Sequence, residues 1–154
     1  MEFFVILSYD CFNEPKITWL HKCRIMRVNI SAFGGIKMSM PDELSLLSLF
    51  ECEPKFLDTN IPYFYNKVTY EFCNNASERF VVSICPSYSD IKIQVYSADD
   101  DELLSILDFK SVDGIEIISD KKEESKIAIK IKYGLIKLNF KPRFKVFLNF
   151  ENYP

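Results

Sequence analysis

The stretch Lys67-Val68-Thr69-Tyr70-Glu71-Phe72-Cys73 alternates polar and apolar side chains and ends at Asn74-Asn75, a turn signal. A period of two is typical of a β-strand that buries one face. Two further runs have the same period, at residues 79–85 and 90–96. The loops between them are short, so these strands are predicted to pair antiparallel, because a parallel crossover needs about a dozen residues or more.

Similar runs lie on both sides of this centre. Toward the C-terminus they occupy residues 114–118, 126–132, 135–140 and 144–150. Toward the N-terminus, residues 2–8 form a short apolar run, and residues 24–31 and 36–40 flank Gly34-Gly35 as a predicted hairpin. Residues 101–109 fit either a helical turn or a strand, and the short loops favour a strand.

One helix is predicted, from Pro41 to about Glu51. It begins with the S-x-x-D pattern of residues 39–42, and leucines follow at helical offsets. Residues 52–62 hold two prolines and no clear period, so they are predicted to be a loop. Lys141-Pro142 must interrupt a ladder or lie at a sheet edge, because proline has no N–H to donate.

These elements predict a mainly β fold: an antiparallel β-sandwich or half-barrel of about eight to ten short strands with one short helix. The 154 residues suffice for a core without disulfides or metal, since a chain of this size buries roughly 68–70% of its unfolded surface. No linker or repeat interrupts the sequence. We therefore expect a single domain over residues 1–154.

The sequence lacks the patterns of several functional classes. It has no apolar run near the 20 residues of a membrane-spanning helix and no secretory leader, so we expect a cytoplasmic protein without membrane contact. His21 is the one histidine, which excludes sites built from several histidines; Cys23 would share a strand face with it. Without a catalytic constellation, phosphate-binding loop or close cysteine pair, we expect no enzyme, cofactor or metal. The five cysteines are predicted to be buried, reduced thiols: Cys11, Cys23, Cys52, Cys73 and Cys85.

Charge is unevenly distributed along the chain. Residues 42–120 contain sixteen acidic and five basic residues, whereas residues 121–154 contain nine basic and three acidic ones. The densest acidic cluster is Asp99-Asp100-Asp101-Glu102, with Asp108 and Asp113 following it. We predict that these six carboxylates contribute to a surface that binds a basic partner protein. The alternative is a solvated loop tip, and the spacing of a calcium-binding loop is missing.

Lysines recur along the C-terminal strands, at positions whose side chains are predicted to point outward. They are Lys126, Lys130, Lys132, Lys137, Lys141 and Lys145, and Arg143 belongs to the same basic stretch. They can form a solvated face, guard edge strands, or bind single-stranded nucleic acid together with interleaved aromatic residues. Those aromatic residues are Tyr133, Phe140, Phe144 and Phe147. The overall pI of about 5.3 argues against nucleic acid.

The run Leu104-x-Ile106-Leu107-x-Phe109-x-x-Val112-x-x-Ile115-x-Ile117, followed by Lys126-Ile127-Ala128-Ile129-Lys130-Ile131, resembles small bacterial immunity proteins. Those proteins belong to polymorphic-toxin and contact-dependent growth-inhibition systems. The resemblance covers residues 68–150 and rests on the strand pattern, so it transfers no individual residue. It implies a compact β-rich domain that binds and occludes the C-terminal domain of a toxin, often a nuclease, in the cytoplasm. A nucleic-acid-binding domain that uses the basic C-terminal strands is the alternative, and the sequence does not indicate an oligomeric state.

Overall fold

The computed structural model describes residues 40–150, and within them nine strands form two antiparallel sheets. The first sheet contains β1 (Lys55–Phe56), β2 (Val68–Cys73), β3 (Glu78–Cys85), β4 (Asp90–Ser97) and β5 (Leu103–Phe109) in that order. The second contains β6 (Gly114–Lys121), β7 (Glu124–Ile131), β8 (Gly134–Lys141) and β9 (Lys145–Phe150). Helix α1 (Glu43–Phe50) precedes them, and short 3-10 helices span Tyr63–Tyr65 and Pro86–Tyr88. The predicted mainly β antiparallel fold is confirmed, and residues 40–150 contain one short α-helix, as expected.

Within each sheet every strand pairs with its neighbour in the chain, and the register keeps apolar residues on one face. In the first sheet Tyr70 lies opposite Val82, which lies opposite Ile93. In the second sheet Ile129 lies opposite Ile136. The alternation seen in the sequence therefore gives each sheet one apolar face, and those faces share a single core.

Four phenylalanines join the helix and the two sheets at the centre of that core. Phe72 and Phe80 stack in the first sheet with ring centroids 5.0 Å apart. Phe140 of β8 meets Phe80 edge-on at 5.4 Å and Phe50 of α1 at 5.5 Å. Such pairs contribute roughly 0.5–1.5 kcal/mol beyond the area they bury, so this cluster fixes how the layers pack.

Asn74 and Glu78 form a polar link between the sheets. The Asn74 amide donates to the Phe140 carbonyl of the second sheet at 2.9 Å and to the Glu78 carboxylate at 2.6 Å. Its oxygen accepts from the backbone N–H groups of Ala76 and Glu78. Glu78 also accepts from the backbone N–H of Phe144 at 2.8 Å. The turn between β2 and β3 is thereby attached to both ends of the β8–β9 turn.

The predicted helix is present, but its cap differs from the S-x-x-D interpretation. Asp42 is the N-cap residue and accepts a 2.7 Å hydrogen bond from the Ser45 backbone N–H. The helix begins at Glu43 rather than Pro41, because an N-cap residue itself has an extended backbone. Its buried side chains are Leu46, Leu49 and Phe50.

The prediction of a loop over residues 52–62 missed β1. Lys55 pairs with Thr69 and Phe56 with Val68, so this two-residue strand extends the first sheet. The rest of the segment is irregular and is organised by buried Asn66, whose oxygen accepts from the Leu57 N–H. A strand this short has no period to detect. By contrast, residues 101–109, which were ambiguous, form β5, as the short loops indicated.

Several smaller predictions have mixed outcomes. Cys52, Cys73 and Cys85 are free thiols, but Cys73 is exposed and Cys52 half-buried, so burial was wrong for Cys73. Pro142 follows the last residue of β8 and interrupts the ladder, as expected. No helix among residues 40–150 is long and apolar enough to cross a membrane. The strand at 2–8, the hairpin around Gly34-Gly35, His21, Cys11 and Cys23 lie outside the described residues, and so does part of the predicted 1–154 domain.

Candidate functional site

The β4–β5 connection, residues 98–102, is a tightly hydrogen-bonded turn that we call the acidic turn. The Ser97 N–H donates to the Glu102 carbonyl at 2.8 Å, and the Asp101 N–H donates back to the Ser97 carbonyl at 3.0 Å. The Ala98 N–H donates to the Ser77 carbonyl of the neighbouring β2–β3 turn, also at 2.8 Å. Three backbone hydrogen bonds therefore stabilise the shape of this turn.

The four carboxylates of the acidic turn have different roles. Hydrogen bonds from Ser97 and from the Glu102 backbone N–H hold the pKa of Asp100 below its usual range. Asp101 forms an ion pair with Arg79. Asp99 and Glu102 are exposed and make no ion pair with any described residue. Two carboxylates thus stabilise the turn, and two present unpaired charge to solvent.

Arg79 attaches the acidic turn to the outer face of the first sheet. Besides the Asp101 ion pair, its guanidinium lies 3.0 Å from the Glu71 carboxylate and 4.4 Å from the centroid of the Tyr96 ring. The hydrogen bond and charge of Asp101, with those of Glu71, raise the pKa of Arg79 above its usual value. An arginine held by two carboxylates and an aromatic face restrains the side chains around it.

An apolar strip lies beside the acidic turn, on the first residues of edge strand β5. Ile106 is opposite Gln94 and Leu103 is opposite Tyr96, both on the outer face, and a bulge inserts Leu104 between these pairs. Leu103, Leu104 and Ile106 are 44%, 53% and 50% exposed. Apolar side chains clustered on a surface mark interaction sites more often than isolated ones do.

The remaining predicted site residues lie elsewhere. Asp108 is six positions beyond Glu102, which is about 20 Å along a strand. It forms an ion pair with Lys110 at 3.3 Å, and Lys110 also contacts Asp90. Asp113 is exposed and precedes β6. The structure therefore brings Asp99 to Glu102 together but separates Asp108 and Asp113 from them.

Sequence reasoning missed Arg79, Tyr96 and the apolar strip as parts of this surface. Arg79 lies 22 positions before Asp101, so no local pattern joins them. The adjacent pairs Leu103-Leu104 and Ile106-Leu107 were the available signal, because one residue of each pair must leave the inward face of a regular strand.

Fewer aromatic side chains are exposed on the basic C-terminal strands than the sequence predicted. Phe140 is fully buried, and Phe144 packs against Phe80 with ring centroids 5.7 Å apart. Phe147 and Tyr133 remain exposed. Three lysines have carboxylate partners: Lys126 with Glu124, Lys130 with Glu116, and Lys141 with Glu51.

Comparison with known proteins gives one structural likeness. No protein-family model matches the sequence, and no curated protein matches it. Among solved structures, a chain from the "Contact-dependent growth inhibition toxin - immunity protein complex from Klebsiella pneumoniae 342" has a similar fold, with a TM-score of 0.58 and 18% identity. The match covers 73% of this chain and 96% of that chain. At this identity the likeness concerns the fold.

Proposed function

We propose that this chain is an immunity protein that binds and occludes the toxin domain of a contact-dependent growth-inhibition system. The observation that most directly supports the proposal is the acidic turn, which backbone hydrogen bonds hold beside the apolar strip of Leu103, Leu104 and Ile106. The fold likeness to a chain of a toxin–immunity complex supports the proposal. The protein acts in the cytoplasm as one domain, by covering its partner and without turnover.

We infer the kind of toxin from the chemistry of this surface. Nucleases bind phosphate and therefore carry basic side chains near their active sites. Asp99 and Glu102 can take the place of phosphate there, while the apolar strip supplies desolvated anchors. Asp108 and Asp113 lie farther along and contribute less. A basic nuclease domain is thus the partner that this surface fits best.

The direct test takes the C-terminal domain encoded by the reading frame next to the gene for this chain as the candidate toxin. Co-expression of the chain is expected to rescue growth, and the purified proteins are expected to bind. The double reversal Asp99→Lys/Glu102→Lys is expected to slow association at least tenfold at low salt, because electrostatic attraction acts mainly on the encounter rate. The matched control is Glu53→Lys/Glu123→Lys, which makes the same charge change at two exposed positions outside the turn, one before β1 and one between β6 and β7.

Three results would contradict the proposal. One is the absence of both binding and growth rescue. Another is an equal fall in the association rate for the control and for the Asp99/Glu102 variant, which would show that net charge alone, and not the position of these two carboxylates, causes the change. The third is salt-dependent binding of the chain to a single-stranded oligonucleotide in a gel shift, which would favour the nucleic-acid alternative.

A further inference from the structure

Strand β9 is an edge strand that exposes apolar side chains on both of its faces. Among residues 40–150 its one partner is β8, where Phe147 lies opposite Lys137 and Leu148 opposite Ile136. Phe147 therefore points to the outer face of the second sheet, and Leu148 and Phe150 point to the inner face. Phe147 is 52% exposed, and Leu148 and Phe150 are both 58% exposed.

Exposure on both faces of an edge limits what can cover it. A protein that docks on one face of the sheet leaves the other face in water. A strand that pairs along the edge covers both faces and also satisfies the backbone groups that the edge leaves unpaired. The geometry of β9 thus fits an added strand better than a docked surface.

We propose that β9 pairs with β9 of a second copy of this chain, antiparallel about a two-fold axis at Phe147. In this register the two Phe147 rings meet on the outer face, and Leu148 lies opposite Val146 of the other copy. Lys145 lies opposite Asn149, so no two like charges face each other. The sequence of β9 is therefore complementary to itself, as a closed two-fold interface requires.

The pairing joins two four-stranded sheets into one continuous sheet. It adds about six main-chain hydrogen bonds between copies, since an antiparallel pair exchanges two bonds at every second residue. The acidic turn belongs to the other sheet, so the dimer interface and the proposed toxin surface use different elements.

Light scattering of the full chain tests the association. We expect a mass near twice 18.1 kDa that falls to the single-chain value for Phe147→Asp. The control Ile118→Asp changes a side chain that is 48% exposed on β6, the opposite edge of the same sheet, and is expected to leave the dimer intact. A single-chain mass for the unaltered protein at every soluble concentration, or dissociation by Ile118→Asp but not by Phe147→Asp, would overturn the proposal.

Cysteine substitution tests the register. Residues opposite each other in antiparallel strands have Cα atoms about 4.5–5.5 Å apart, within the range that a disulfide spans. Phe147→Cys is therefore expected to form a dimer-sized band on a non-reducing gel, beyond that of the unaltered chain. Asn149→Cys is expected to form none, because the two Asn149 positions lie four residues apart in this register. The reverse pattern, or equal crosslinking at both positions, would refute a two-fold axis at Phe147.

Discussion

Replacing Asn74 by alanine tests whether the sheets are held together by the polar link as well as by the apolar core. The Asn74 side chain makes four hydrogen bonds, to Glu78, Phe140 and two backbone N–H groups, with donor–acceptor distances from 2.6 to 3.1 Å. Each such bond contributes roughly 1 kcal/mol net, and the groups left behind are largely buried. We expect Asn74→Ala to lower the free energy of unfolding by about 3 kcal/mol.

Urea denaturation followed by far-UV circular dichroism measures this change. The midpoint should fall while the slope stays constant, because the variant unfolds the same surface. In a chain of this size the melting temperature should fall by about 10 °C. Asn75→Ala, at the exposed neighbouring position, is the control and should stay within about 0.5 kcal/mol of the unaltered protein. A loss below about 1 kcal/mol for Asn74→Ala would refute the reasoning, since water would then replace the link without penalty.

Three further perturbations test the core, a partly buried phenol and the helix cap. Phe140→Ala should lower the free energy of unfolding by about 4 kcal/mol, because it opens a cavity in the aromatic cluster, whereas the control Leu44→Ala, at a side chain that is 77% exposed, should lower it by less than about 1 kcal/mol in the same urea titration. Burial raises the pKa of Tyr63 to about 12. In an ultraviolet titration we therefore expect the unaltered protein to show a late-ionising tyrosine that is missing from the Tyr63→Phe variant. The stability that the neutral Tyr63 phenol provides should be lost as the pH rises from 10 toward 12. Hydrogen bonds from Ser45 lower the pKa of Asp42. The stability that the Asp42 carboxylate gives the protein is therefore complete above the ordinary aspartate pKa and is lost as the pH falls through the lowered pKa. The difference in melting temperature between the unaltered protein and Asp42→Ala should accordingly disappear in acid.

The sequence was sufficient for most of the fold because the strands are local and regular. Period-two runs located β2 to β4 and β6 to β9, and loop length decided that residues 101–109 are a strand. The two-residue strand β1 was not predicted, because it is a strand through its pairing with β2 and not through its own composition. The S-x-x-D pattern of residues 39–42 located the start of the helix, but only the backbone geometry shows that Asp42 is the cap.

The candidate site was harder to predict because its organisation is not local. The sequence located the carboxylates of residues 99–102, but their separate roles depend on Arg79, which comes from another strand. The exposure of Leu104 and Ile106 depends on the bulge and on the edge position of β5. Composition likewise placed Phe140 and Phe147 in one basic stretch, whereas the register buries the first and exposes the second.

The order of strands in both sheets follows the order of the chain, and this has a consequence for how the protein folds. Hairpins between successive strands close loops of only a few residues, so the entropy lost at each closure is small. Each sheet can therefore form early and on its own, and the docking of one sheet onto the other is the late, long-range event. Kinetic experiments should accordingly find the contacts between the sheets formed only after the transition state, so that Phe140→Ala, which removes ring contacts with Phe72 and Phe80, accelerates unfolding and leaves the folding rate nearly unchanged.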